Sequence, residues 1–386
     1  MTEEPTGGDL SRLRQLNALA VIRVLRTDQP LTMTELAKRT GLSRASTEDV
    51  TRELIGHGWV AEVEPAPGTL GRPARRYRFR ADAGWVLGVD IGGHTIRSLV
   101  TDLDGDVLSS TCVTVTPQLG RRERLAALDR CVTAALTEAA VAPDQIWSTG
   151  VATTGLVDGT GKVMLSDSLA EWTGVDLAGH LRRRVAGPVR VENDSKLAAL
   201  AESWRGVARH AKDVVFLLAG LRTGTGLIID GKLHRGFGNS AGEIGALPAI
   251  GWLRAPEHLR AWSGAREDEF VDVFLAARDG DREAVRAVRK YTRDIAVGVS
   301  ALILTLDPEL LVIGGGFSRS ADVVVEPLRR ELDRWCLRTP EIRVSTFGDE
   351  GVAFGAVRLA LEQVEASLYA GSELSSPAFF GAAGSN

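Results

Sequence analysis

Two stretches of this chain are built on one plan. Residues 85–106, WVLGVDIGGHTIRSLVTDLDGD, run from an apolar segment ending in Asp90 through a Gly92-Gly93 turn into a second apolar segment that stops at Asp104-Gly105. Residues 214–236, VVFLLAGLRTGTGLIIDGKLHRG, again set a glycine-bearing turn, with Gly220 and Gly224, between two apolar segments. Apolar runs of this length bounded by glycine read as strands joined in tight hairpins. Glycines let backbone N–H groups approach a phosphate, and Asp90 stands where a cleft-facing carboxylate orders a metal or a water. Either stretch alone is also compatible with an ordinary turn. Their repetition implies an α/β body in which two similar hairpins face one cleft.

A chain of 386 residues has room for two or three domains. Its three cysteines, Cys112, Cys131 and Cys336, form no CxxC pair, which suggests a reducing compartment without a disulfide framework. The acidic, polar start MTEEPTGGDL is no signal peptide, and the apolar runs are too short to span a bilayer, so a cytoplasmic protein without a membrane partner is expected. Charge is uneven. Residues 1–80 carry 13 Lys and Arg against 10 Asp and Glu, and the remainder carries 33 against 40. A modestly basic head on an acidic body fits nucleic-acid binding by the head.

Residues 1–82 read as that head. Leu13, Leu16, Ala20 and Val24 recur at helical spacing between Arg12 and Arg26. Thr32 and Glu35 have capping-box spacing before a short helix that ends at Gly41, and Ser43 caps a third helix, RASTEDVTRELIGH. Strands at 59–64 and 76–79 flank a Pro/Gly loop as a wing. This is the winged helix-turn-helix layout, in which the last helix enters the major groove; any small three-helix bundle is the plain alternative. Arg44, Ser46, Thr47 and Arg52 are the groove-facing candidates. Arg72, in the GRPARR loop, with Arg75 and Arg76 behind it, suits a narrow minor groove. Glu48 and Asp49 oppose phosphate contact from the same helix. They either accept from cytosine or point away.

In the body, residues 83–365, the strand Val189 to Val191 delivers Glu192-Asn193-Asp194 to the start of an Ala/Leu-rich helix. Polar groups at a strand's C-terminal end line clefts. There Asp194 can accept a proton from a sugar hydroxyl, or serve only as a helix cap. Glu243 lies on a glycine-flanked turn, and LLVIGGGFS is a buried strand with a glycine triplet open to close approach by a ligand. Trp172 suits stacking on a sugar ring and core packing equally. His94, His180, His210 and His234 read as structural or surface residues, and Trp252 and Trp262 as packing. Residues 366–386 read as a flexible tail.

Taken in order behind the head, DIGG (90–93), VEND (191–194), DGKLHRG (230–236), AGEIG (241–245) and IGGG (313–316) resemble the ROK family of bacterial sugar kinases and repressors. The resemblance spans about residues 10–365. It implies a two-lobed, actin-like ATPase fold with sugar between the lobes. It also implies that Asn193, Asp194 and Glu243 contact sugar hydroxyls, with Asp194 as the base in kinase members. Asp90, Gly92, Gly93, Gly220 and Gly224 would be remnants of the two phosphate hairpins.

The departures from the family pattern shape the functional expectation. His94 stands at a usual Thr. Gly220-Leu221-Arg222-Thr223-Gly224 replaces a GTGxG loop, so that a branched apolar side chain and a bulky cation sit where backbone amides cradle phosphate. Ala246 stands at the family's His, and the following segment holds no cysteine; His258 alone makes no tetrahedral zinc site. A further sugar-binding Glu has no secure counterpart, Glu257 being nearby. The expectation is therefore a DNA-binding regulator, in practice a repressor, whose body senses a sugar-like effector. It is not expected to be an enzyme, to hold zinc or to need a cofactor. Its partners would be a double-stranded operator, a sugar or sugar derivative, and further copies of itself as a homodimer or homotetramer. A sugar-blind regulator and an active sugar kinase are the alternatives.

Overall fold

The computed structural model describes residues 10–26, 29–63, 74–220, 222–262, 264 and 270–367. The head consists of α1 (Leu10–Leu25), β1 (Leu31–Thr32), α2 (Met33–Thr40), α3 (Arg44–Gly56), β2 (Val60–Val63) and β3 (Arg76–Phe79), with sheet order β1-β3-β2. Local chemistry sets its boundaries. The Thr32 hydroxyl accepts from the Glu35 amide while the Glu35 carboxylate accepts from the Thr32 amide at 2.8 Å, a reciprocal cap that opens α2. Gly41 then takes the left-handed conformation (φ 72°) that ends it. Ser43 caps α3 by accepting from the Ser46 amide at 3.1 Å. The two-residue β1, unmarked in the sequence pattern, closes the wing sheet against β3.

The body repeats one sheet plan twice. In the first lobe β4 (Trp85–Ile91), β5 (Thr95–Asp102) and β6 (Val107–Thr114) form an antiparallel meander backed by α4 (Arg121–Glu138). β7 (Ile146–Thr153) then joins β4 in parallel. A small hairpin, β8 (Leu156–Val157) with β9 (Val163–Leu165), and α5 (Leu177–Leu181) lead to β10 (Val189–Asn193), parallel to β7. The sheet order is β10-β7-β4-β5-β6. Helix α6 (Asp194–Arg205) leaves β10 for the second lobe, where β11 (Val214–Leu218), β12 (Gly224–Ile229) and β13 (Lys232–Leu233) form the second meander. After α7 (Ala255–Arg260), α8 (Val271–Arg278) and α9 (Arg282–Leu306) come β14 (Leu310–Gly314), α10 (Ala321–Trp335) and β15 (Glu341–Val344). The second order, β13-β12-β11-β14-β15, mirrors the first strand for strand. Among the described residues no helix is long and apolar enough to cross a membrane.

Helix α11 (Gly351–Ser367) returns to the first lobe and lies across its sheet and α6. Glycine makes that approach possible. A Cβ on Gly88 would sit 2.9 Å from the Ala353 carbonyl oxygen, and one on Gly150 would overlap the Ala356 carbonyl. Because α11 runs to Ser367, Ala366 and Ser367 are helical and not part of a tail; residues 368–386 lie outside the described residues.

Candidate functional site

Three acidic groups converge where the lobes meet. Asp90 lies one residue before the end of β4, Asp194 opens α6, and Glu243 sits on a short 3-10 turn entered through Gly242 in the left-handed region (φ 87°). Burial pushes the Asp90 carboxyl up to about 7, with Asp194 adding repulsion. Burial likewise raises Asp194 to about 6 against two hydrogen bonds from Ser195, and Glu243 adds repulsion. Glu243 is exposed to solvent. Desolvation raises it, and the Lys196 ammonium partly offsets the rise. A site that crowds carboxylate acceptors suits a ligand rich in hydroxyl donors.

Asn193 plays two structural parts at once. Its Oδ1 accepts from the Lys196 amide as the cap of α6, and its Nδ2 donates to the Gly155 carbonyl at 3.1 Å. Asp194 accepts from the Ser195 amide at 2.7 Å through Oδ1 alone. Its second oxygen therefore remains for a ligand. Lys196, which the motif reading passed over, is fully buried and donates to the Asn239 carbonyl. Asn239, at φ 59°, reaches back across the cleft, its Nδ2 donating to the Val157 carbonyl at 3.0 Å. The signal for Lys196 is its place in the first turn of the helix that Asp194 opens; Asn239 has none, since its role exists only through the lobe–lobe contact.

The first hairpin is held from behind. Arg124, fully buried on α4, donates to the Gly92 carbonyl at 2.9 Å and lies over the Trp172 ring. Trp172 is itself fully buried and donates to the Thr153 hydroxyl at 2.9 Å. This settles its two readings in favour of packing. At the second hairpin Leu221 lies outside the described residues, while Gly220 lies in the turn after β11 and Gly224 opens β12. Gly224 lies so close to α6 that a Cβ there would overlap the Ser195 hydroxyl. Arg222 extends from this loop to the first lobe and donates to the Asp167 carbonyl at 3.0 Å. Beside the hairpins a cavity of about 240 Å³ is bordered by Thr95, Arg97, Glu202, Ser345 and Asp349, and Arg97 pairs with Glu350 at 3.1 Å.

The donors at the family's zinc position do not fit that metal. Ala246 offers no ligand, and His258 is engaged with Asp294 at 3.1 Å. Cys112, Cys131 and Cys336 sit on β6, on α4 and just after α10. Trp252 holds the loop instead, buried against Gly298 with its Nε1 donating to the Ile295 carbonyl at 3.0 Å.

On the head, Arg44, Glu48, Arg52, Glu62 and Arg75 line a groove of about 460 Å³ between α3 and the wing strands. All three arginines are paired: Arg44 with Glu48 at 2.9 Å, Arg52 with Asp49 at 2.9 Å, and Arg75 with Glu62 at 3.2 Å. One candidate is corrected. Thr47 is fully buried and donates to the Ser43 carbonyl at 2.9 Å, because position 47 falls on the inward side of α3 with Val50 and Thr51. Strand alternation buries Tyr77 and Phe79 and leaves Arg76 half-buried on the other face of β3, where its charge acts on Glu35. The Ser46 hydroxyl is 2.9 Å from the Ser43 hydroxyl. Arg72 lies outside the described residues.

The ROK family profile matches residues 86–363, and an IclR helix-turn-helix domain profile matches residues 16–64. A xylose repressor of Caldicellulosiruptor bescii is 24% identical across 92% of this chain and 98% of its own length. A xylose repressor of Bacillus subtilis is 20% identical over 92% and 97%. A glucokinase of Streptomyces coelicolor is 27% identical but covers only 72% of this chain, with 98% of itself. Among solved structures, a ROK family transcriptional regulator described as a homolog of the E. coli MLC protein aligns with TM-score 0.71 at 20% identity, over 92% of this chain and 96% of that one. A ROK family glucokinase from Streptomyces griseus, in complex with glucose and AMPPNP, aligns with TM-score 0.60 at 26% identity, over 72% and 100%.

Proposed function

We propose a function from one premise: the chain belongs to the ROK family. It is a DNA-binding transcriptional repressor, and its body senses a sugar-like effector held between the lobes. The observation that carries this reading is that the xylose repressors match head and body together, over 92% of the chain, while the glucokinase match stops short of the head. Asp194 and Glu243 would accept hydroxyl donors from the sugar, with Asn193 holding the loop that presents Asp194. Asp90, Gly92, Gly93, Gly220 and Gly224 would be remnants of a phosphate grip. Phosphoryl transfer is not part of this function, because the Arg222 side chain spans the cleft at the second hairpin and His94 lacks the hydroxyl of the usual Thr. The protein would act in the cytoplasm as a homodimer or homotetramer, whose paired heads read two half-sites.

The test is thermal unfolding against millimolar D-xylose, D-glucose, other common sugars, sugar phosphates and ATP. A ligand at a hundred times its Kd stabilises the folded state by about 2.7 kcal/mol, which a melting curve resolves easily. At least one sugar should raise the melting temperature, and Glu243→Ala should abolish that rise. Silence across the panel overturns sugar sensing and leaves a sugar-blind regulator. Sugar-dependent ATP turnover that disappears in Asp194→Asn would establish a kinase instead.

For the head, Arg44→Ala should weaken binding to an operator selected from a random duplex pool about tenfold. Glu48→Gln should strengthen binding to non-cognate duplex, since it frees Arg44 and removes a charge that repels phosphate. Fluorescence anisotropy at fixed salt measures both. Unchanged affinity in Arg44→Ala would remove α3 from the interface.

A further inference from the structure

The head does not hang on a free linker. Val21, Ile22, Leu25, Trp59 and Phe79 of the head share one apolar core with Val357, Ala360, Leu361 and Val364 of α11. At its edge Arg26 pairs with Glu365 and lies 3.5 Å from Asp104, its guanidinium over the Phe79 ring. Head, first lobe and α11 therefore share one packed core, and the second lobe meets them through α6 and across the cleft.

A chain of alternating charges crosses between these bodies. Lys196, at the cleft, lies within the field of both Glu243 and Glu192. Glu192, 5% exposed, binds Arg235 at 2.7 Å. The Arg235 charge also reaches Glu362, which lies 3.6 Å from Arg358. Arg358 binds Glu365 at 2.8 Å, and Glu365 binds Arg26 of the head. These groups are buried or half-buried, so the place of each depends on its neighbours. The Arg235 link spans the two lobes. Arg235 is carried by the second lobe, whereas Glu192 belongs to β10 and Glu362 to α11. In this arrangement the buried Nη2 of Arg235 has no hydrogen-bond partner.

We propose that Arg235 is the positioning residue that couples the effector cleft to the DNA-binding head. Its Nε holds Glu192 in the present arrangement. Rotation of the second lobe on effector binding brings its spare Nη2 onto Glu362, which shifts the Arg358–Glu365–Arg26 contacts that set the head on α11. The proposal rests on the sugar-sensing reading for its trigger, but not for its route.

The experiment compares wild type with Glu362→Gln and with the double variant Glu192→Gln/Arg235→Gln, which leaves no buried charge unpaired. Three quantities are measured: the melting shift with D-xylose or another sugar that stabilises wild type, operator affinity without sugar, and the ratio of operator affinities with and without it. Wild type should show a ratio of at least about tenfold, and both variants should fall below about threefold. Glu362→Gln should keep its melting shift and its sugar-free operator affinity. An undiminished ratio in either variant overturns the coupling.

Linkage is reciprocal, so a second readout needs no sugar. Operator DNA should slow amide exchange at residues 192–196 in wild type and not in Glu362→Gln. If no sugar binds but this protection appears, sugar sensing fails and the route stands. If operator DNA leaves those amides unchanged in wild type, the route fails whatever the sugar result.

Discussion

Gly355→Ala should destabilise the protein by at least about 3 kcal/mol, at the upper end of overpacking effects. An added Cβ would overlap the Leu197 carbonyl and stand 2.9 Å from Leu197 Cα. Both atoms are backbone of α6, so relief requires moving one buried helix against another and not turning a side chain. Helices α6 and α11 are also the pair that joins the lobes, and α11 carries the head. The loss should therefore appear in urea unfolding of the whole chain and not as local fraying. Gly159→Ala is the control: a Cβ there meets nothing within 4 Å, and its stability should stay within about 0.5 kcal/mol of wild type. A Gly355→Ala protein as stable as that control would mean that the helices are not in the contact described.

Asp90→Asn and Asp194→Asn should each make the protein more stable than wild type at pH 8, and the gain should vanish near pH 4. Both carboxyls are raised from 3.8, Asp90 to about 7 and Asp194 to about 6, chiefly by burial, with repulsion from Asp194 added at Asp90 and from Glu243 at Asp194. A raised acid holds its proton more tightly when folded. Its favourable contribution is thus complete below pH 4 and is lost as pH rises through 6 and 7. Part of each residue still meets solvent, so a gain of about 2 kcal/mol at pH 8 is expected for either amide, less than the full shifts imply. Thermal melts at pH 4 and pH 8 give the result directly. A variant destabilised equally at both values would show that these carboxylates are satisfied when charged. Asp194→Asn should at the same time lose its sugar-induced melting shift, as expected of charges kept close for binding at the expense of stability.

Local signals carried much of the architecture. Thr32, Glu35, Gly41 and Ser43 sit where their capping chemistry demands, and the helix boundaries around them follow within a residue or two. The two hairpins were legible as a repeated plan because apolar runs and glycine turns act over a few residues. Side-chain direction was less legible. Thr47 shares its residue type and helix with Ser46, but the inward face of α3 is decided by α1 and α2 packing on it. The same holds for Arg75 and Arg76, adjacent in sequence and turned to opposite sides of the wing. Trp172 kept two readings until Arg124 and Thr153 were seen around it.

The sequence by itself determined the main elements of the head, the doubled hairpin plan and the acidic residues near the end of β4 and at the start of α6. These follow from periodicity, caps and turns, which are interactions between near neighbours. Only the tertiary structure decided that Arg222 and Asn239 reach across the cleft, that Arg124 supports the first hairpin, and that Glu365 seats Arg26 of the head. Those contacts join residues far apart in the chain. Their free energy depends on burial and distance created by folding, and no local pattern of residues encodes either one.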